Sequence, residues 1–336
     1  MKRYAKRERP AATSTAAVGV DIAKRTFAAC LRLSQGKCYQ RQFTNDLTGF
    51  QTLVAWLTKY TPPPVPVCME ATGTYGEALA VYLHEQGYLV SVVNPHRIVH
   101  YAKSQGTRHK TDQVDARVIA EFCAKEVPPR WAPPAAHYRY LQALLRHQET
   151  LEQDQQRERN RLAAAAHPPF VRQSLEAGLA QLDAALLAVA AEIQAQLAAQ
   201  PELRAQLQLL ISIPGIGEET ACWLLAELGG GGRFQRAPEV ASYVGVEPRL
   251  RQSGPWKGTT RMSKQGNVWL RKALFFPALS ALRWNPVIRA FGARLRERGK
   301  VPMAIVVAAM RKLLHLAFGV LRHQRPFDPA WTGVTP

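Results

Sequence analysis

Residues 16–33, AAVGVDIAKRTFAACLRL, predict an apolar, β-branched strand up to Asp21, a short turn and a second strand, and CYQRQFTN (38–45) predicts a third. Together these read as an antiparallel meander. Apolar spacing makes Gly49 to Tyr60 a helix. Pro62-Pro63-Pro64 ends it, because proline has no N–H to donate and its ring clashes with the preceding turn. VPVCMEA (65–71) predicts a short buried strand, a helix follows from about Gly76 to Gln86, and GYLVSVVNP (87–95) is a strand stopped at Asn94-Pro95. Asp112 to Lys125 is a helix with apolar positions at Val114, Val118, Ile119 and Phe122. Three strands followed by alternating helices and strands imply a mixed α/β domain over 16–127.

The pattern changes at Val127-Pro128-Pro129, which predicts a linker. A helical region spans 137–203, with a long polar helix over 138–165 and a turn at His167-Pro168-Pro169. The next helix carries Leu175, Leu179, Leu182, Leu186, Val189, Ile193 and Leu197, a four-and-three spacing that makes a coiled-coil seam. Such a seam serves either to close the two helices into a hairpin or as an oligomerisation arm. A third, mainly α region runs from 204 to 326. Within it LLISIPGIGEETACWLLAEL (209–228) predicts two helices joined by Pro214-Gly215-Ile216-Gly217, the pattern of a helix-hairpin-helix. There Gly215 and Gly217 would let the backbone approach a phosphate, which the N–H groups opening the second helix bind. A plain helical turn fits the same residues. Gly229 to Gly232 read as a flexible joint.

Charge narrows the function. Lys and Arg number 44 against 25 Asp and Glu, a formal net charge of +19. Seventeen of the cations, against the single acid Glu297, fall between Arg249 and Arg325. A one-sided excess of this kind costs stability by self-repulsion and points to a polyanionic partner, nucleic acid above all. The opening MKRYAKRERP is basic with no apolar run after it, which predicts a disordered arm over 1–15 that touches phosphates and not a secretory signal. Five cysteines, odd in number and none in C-x-x-C, argue against a disulfide framework or a zinc site and for a reducing compartment. The most apolar stretch, Pro302 to Leu321, is cut by Arg311, Lys312 and His315. The expectation is therefore a cytoplasmic protein with no membrane partner.

Four acids carry candidate chemistry. Phosphodiester cleavage is often run by two divalent ions held by hard carboxylate oxygens. Asp21 lies in a strand among Val18, Val20 and Ile22, where an acid costs free energy unless it is paired or binds a metal. Glu70 ends the next core strand, and Asp112 and Asp115 share one side of a helix at i and i+3. The same residues also have ordinary readings: a solvated strand end for Glu70, an N-cap for Asp112, an ion pair with Arg108 for Asp115.

The motifs V-G-V-D-I-A-K, M-E-A-T-G-T-Y, N-P-H-R-I-V and K-T-D-Q-V-D-A-R-V-I-A-E-F occur in that order. They are followed by S-I-P-G-I-G-E-E-T-A, Y-V-G-V-E-P-R, Q-S-G and R-M-S-K-Q-G-N-V-W-L-R-K-A-L. Over about residues 16 to 325 the chain resembles the DEDD transposases, a family of insertion-sequence transposases and related Piv-type DNA invertases. The resemblance implies an RNase H-like (RuvC-like) first domain, an α-helical coiled-coil insertion and a mainly α C-terminal domain. It implies magnesium, or manganese, at Asp21, Glu70, Asp112 and Asp115. It further implies a nucleophilic serine in the C-terminal domain, which by its place after the G-x-x-P-R segment falls on Ser253. Ser212 and Ser263 are rival positions, and Pro-Trp-Lys-Gly after Gly254 departs from the family pattern. Arg249, Arg251, Lys257, Arg261, Lys264, Arg271 and Lys272 are the expected phosphate contacts. The family also implies donor and target DNA, a noncoding bridge RNA and a homo-oligomer, a dimer or tetramer, as partners. Two other readings fit much of the sequence: a structure-selective endonuclease or Holliday-junction resolvase with the same metal and no covalent serine step, and a non-catalytic nucleic-acid-binding protein.

Overall fold

The computed structural model describes residues 16–71, 75–105, 112–164, 166–249, 252–253, 256–257, 261–262 and 266–330, with only the backbone for 112–114, 231, 248–249, 252–253, 256–257 and 261. The basic arm expected over 1–15, together with Arg251, Ser263 and Lys264, lies outside these residues. The chain falls into two compact units that meet in sequence at Pro133 and Pro134.

The first unit is built on a five-stranded sheet. β1 (Ala17–Ile22), β2 (Thr26–Arg32) and β3 (Cys38–Thr44) form the expected antiparallel meander. β4 (Pro66–Glu70) then pairs parallel to β1, and β5 (Leu89–Val93) parallel to β4, giving the order β3-β2-β1-β4-β5. The parallel pairs require crossovers, and α1 (Leu47–Thr58) and α2 (Glu77–Glu85) supply them. Asp46 caps α1, its side chain accepting from the Gly49 amide at 2.8 Å. Phe27, Leu53, Leu57, Met69, Leu79 and Leu83 fill the core between these helices and one face of the sheet. Asn94-Pro95 does more than stop β5: it opens α3 (Pro95–Ser104), with the Asn94 side chain as the cap.

The other face is covered by α4 (Asp112–Glu126), which packs on β1, β2 and β4. The polypeptide after α4 stays with this unit. Trp131 donates its amide to Val90 O, and the Ser91 hydroxyl donates to Pro128 O, so residues 127–133 lie along β5 where the sequence pattern predicts only a linker.

The second unit is helical. α5 (Ala136–Ala164) and α6 (Pro169–Ala199) form a long antiparallel hairpin. The predicted seam on α6 faces α5, fully buried only at Ile193 and Leu197 near the base. There Tyr138, Leu141 and Leu145 of α5 join the same core as the rest of the unit. That core is formed by α7 (Pro201–Ile211), α8 (Glu218–Leu228), α9 (Ala237–Val244), α10 (Val268–Ala273), α11 (Phe275–Trp284), α12 (Pro286–Glu297) and α13 (Pro302–His323).

By length and composition α6 and α13 are each long and apolar enough to cross a membrane, as core helices also can be. In this unit α13 spends its apolar side on packing, with Ala309, Leu313, Leu314 and Ala317 fully buried.

The glycine run expected as a flexible joint is instead a 3-10 turn over Gly229–Gly231. Gly229 and Gly230 have positive φ, and a Cβ on Gly230 would lie 2.3 Å from the Tyr138 hydroxyl. Glycine is there for close approach, not for mobility.

Candidate active site

The register of β1 against β4 decides where the first two acids lie. Val18, Gly19 and Val20 stand beside Val67, Cys68 and Met69, so the next step of the parallel pair sets Asp21 beside Glu70. Side chains alternate along a strand. Val18, Val20, Val67 and Met69 belong to the core under α1 and α2, while Ala17 and Cys68 belong to the cluster under α4. Asp21 and Glu70 therefore share the α4 face, and both are half-buried and engaged in interactions.

Gly19 holds the helix close on that face. A Cβ there would lie 2.2 Å from both Ala116 O and Ala120 N. Ala28, the cross-strand partner of Asp21, is also small and clusters with Cys30, Ala116 and Ala120. Asp115 immediately precedes Ala116, and Asp112 opens the helix one turn earlier. Three elements thus bring Asp21, Glu70 and the start of α4 to one face of the sheet. Among the described residues no group of three or more His, Cys, Asp or Glu is gathered tightly enough to hold a metal ion, and the Asp112 side chain lies outside them. The donor chemistry fits magnesium or manganese: the acids offer hard carboxylate oxygens from separate elements. The nearest soft ligand does not compete. Cys68 is fully buried, and its hydrogen bond with Cys123 together with burial pushes its thiol well above the usual range, leaving it neutral.

A residue that the sequence reading missed ties the rim of this face. Asn45, just before the α1 cap, donates from Nδ2 to both Ala23 O and Tyr75 O at 3.1 Å. Ala23 follows Asp21 by two residues and Tyr75 follows Glu70 by five. Only the turn-forming character of T-N-D signals Asn45 in the sequence, and that character says nothing about partners thirty residues away.

In the second unit, α9 ends in a left-handed Gly245. The chain then makes β6 (Pro248–Arg249), β7 (Gln252–Ser253), β8 (Trp256–Lys257) and β9 (Arg261–Met262). β6 pairs antiparallel with β9, Arg249 opposite Arg261, and β7 with β8, Ser253 opposite Trp256. Ser253 therefore sits near the tip of a nested pair of hairpins that also carries Arg249, Lys257 and Arg261, whose side chains, like its own, are outside the description. The base of the hairpins is fixed. Gly266 approaches the backbone of Tyr243 and Val244 so closely that a Cβ would lie 2.3 Å from Tyr243 O. Asn267 caps α10 and donates to Glu227 Oε2 at 2.6 Å.

Several predicted contacts have work inside the protein. Arg271 donates to Val244 O at 2.8 Å, and Lys272 forms an ion pair with Glu149 of α5. Ser212 donates to Leu209 O and accepts from the Phe327 amide, a structural role. Gly215, at φ 104°, packs on α11, where a Cβ would lie 2.8 Å from that of Ala281. Gly217 is open at the start of α8, but Glu218 and Glu219 occupy the first turn and already complement its positive end.

Comparison with known proteins now identifies the chain. A DEDD transposase profile of the IS110 type, described as "Transposase", matches residues 18–167. A second profile, "Transposase IS116/IS110/IS902 family", matches 207–293. The pilin gene-inverting protein of Moraxella bovis is 36% identical over 315 residues, 93% of this chain and 97% of that one. The chain belongs to the IS110/IS116 family of DEDD transposases. The transposase for insertion sequence element IS1111A of Coxiella burnetii is similar over 79% of this chain at 25% identity. Membership in this transposase family carries the enzyme class, cleavage and rejoining of DNA.

Proposed function

We propose that this protein is the recombinase of a mobile or invertible DNA segment, cutting and rejoining DNA with an RNase H-like carboxylate site and a serine nucleophile. The observation that carries the reading is the shared face of Asp21 and Glu70 beneath the start of α4.

In this reading Asp21, Glu70, Asp112 and Asp115 would hold magnesium or manganese, which when bound would supply Lewis-acid stabilisation of developing charge. Ser253 attacks: its Oγ bonds to phosphorus, the bond from phosphorus to the sugar oxygen breaks, and that oxygen leaves with a proton. The hydroxyl proton of Ser253 passes to solvent or a neighbouring base. A sugar hydroxyl of the new partner strand then attacks the phosphoserine, restoring both the serine and a phosphodiester, so no bond energy is lost between the steps. Arg249, Arg251, Lys257, Arg261 and Lys264 neutralise phosphates around the serine. The charge concentrated between Arg249 and Arg325 favours a further polyanion, a structured RNA that selects donor and target DNA by pairing.

The test is metal-dependent recombination of a cognate DNA by the purified protein. Asp21→Asn is expected to abolish strand cleavage. Ser253→Ala is expected to abolish strand cleavage, the rejoining that follows it, and the protein–DNA adduct that the parent forms under denaturing conditions. If Ser253→Ala recombines at the parental rate, the serine step is wrong. Sequencing RNA that copurifies from the host checks the guide, and its absence removes that part of the reading.

A further inference from the structure

Between α10, α11, α12 and α13 the second unit has an open groove of about 1070 Å³. Phe275, Phe276 and Phe291 line it, and Arg311, Lys312 and His315 of α13 lie along its floor. Among the described residues no carboxylate lines it. Phe276 is 75% exposed, and Val268, Val301 and Met303 at the same groove are also largely exposed. Exposed apolar surface gathered in this way marks a binding site more often than chance. Arg311 Nε and His315 Nε2 are buried and have no hydrogen-bond partner among the described residues.

The occupant must be flat and apolar on one side and anionic on another. An apolar helix face covers the phenylalanines but brings no anion to Arg311 and Lys312. A nucleotide taken out of its duplex meets both requirements: its base stacks on phenylalanine and its phosphate meets the cations. Burial, with Arg311 and Lys312 beside it, holds His315 below the usual imidazole range. The groove also adjoins the hairpins of Ser253, since Met262 of β9 is part of its wall.

We propose that this groove binds unpaired nucleotides of single-stranded nucleic acid next to the strand being cut. The inference rests on the recombinase reading above for its purpose. Its test measures binding without cleavage, so the two fail separately: loss of the carboxylate or serine result leaves binding untouched.

Full-length protein is titrated, with chelator present, against a labelled single strand of about 16 nucleotides and against its duplex. Phe276→Ala is expected to weaken single-strand binding about five- to a hundredfold and duplex binding less than about twofold. Replacing the bases of the single strand by abasic sites should weaken parental binding to a similar degree, and Phe276→Ala should then have no further effect. Lys312→Gln should lower the salt dependence of single-strand binding by about one phosphate contact. Equal single-strand affinity of Phe276→Ala and the parent overturns the proposal. So does an equal loss for duplex and single strand. Unchanged single-strand binding with a change of sedimenting species would make the groove a protein interface instead.

Discussion

Arg146 of α5 grips Glu227 of α8 through Nε at 3.1 Å and Nη2 at 2.8 Å, and the Glu227 side chain is fully buried. Gln142 and Asn267 donate to its other oxygen at 2.9 and 2.6 Å. One carboxylate therefore joins the base of the helical hairpin, the middle of the core and the root of the Ser253 hairpins. Breaking such a pair from one side leaves a buried charge without its partner. Arg146→Met is expected to destabilise the protein by about 3–5 kcal/mol, read from the urea midpoint. Glu227→Gln in that background should recover part of the loss, since the remaining amide carries no charge.

Gly19→Ala tests the close approach of α4 to the sheet. The added methyl would meet two backbone atoms of α4 at 2.2 Å, and backbone cannot swing aside as a long side chain does. The helix must lift, at a cost of about 1–3 kcal/mol or more. Thermal unfolding and strand cleavage should both suffer. A variant that keeps parental stability would show that α4 does not rest on Gly19.

Asn45→Ala removes two hydrogen bonds from the rim of the carboxylate face and touches no acid directly. The expectation is a fall in kcat of about ten- to a hundredfold with little change in KM for DNA, because groups displaced by an ångström lose rate before affinity. Steady-state cleavage kinetics decide it. A change confined to KM would assign Asn45 to DNA binding instead.

Acid should weaken the second unit through His315. Its ordinary value is 6.5, and burial first, then Arg311 and Lys312, hold it lower in the folded chain. Below pH 6.5 the unfolded chain takes up a proton that the folded one refuses, so stability falls as pH drops toward the folded value. Above pH 6.5 both states are neutral and the effect vanishes. Urea midpoints at about pH 7.5 and pH 5.5 should differ less in His315→Gln than in the parent. An identical pH dependence in the two proteins would contradict the expectation.

The period of the apolar residues was enough to predict β1 to β5, the helices between them and the two long helices of the second unit, though not that these close on each other, because strands and amphipathic helices bury one side at a fixed spacing. The α3 helix after Asn94-Pro95 was not legible, since the same pair ends a strand and opens a helix. The order of motifs was likewise enough to indicate the transposase family, which whole-chain similarity to the pilin gene-inverting protein bears out. What the sequence could not contain was distance. That Asp21 stands beside Glu70 depends on the register of two strands whose sequences lie more than forty residues apart. That Gly215 packs on Ala281, and that Glu227 is gripped by Arg146, depends on which helices meet. Local pattern is written by each residue's neighbours along the chain. A glycine's purpose, a buried acid's partner and a groove lined from several helices are written only when distant segments come together.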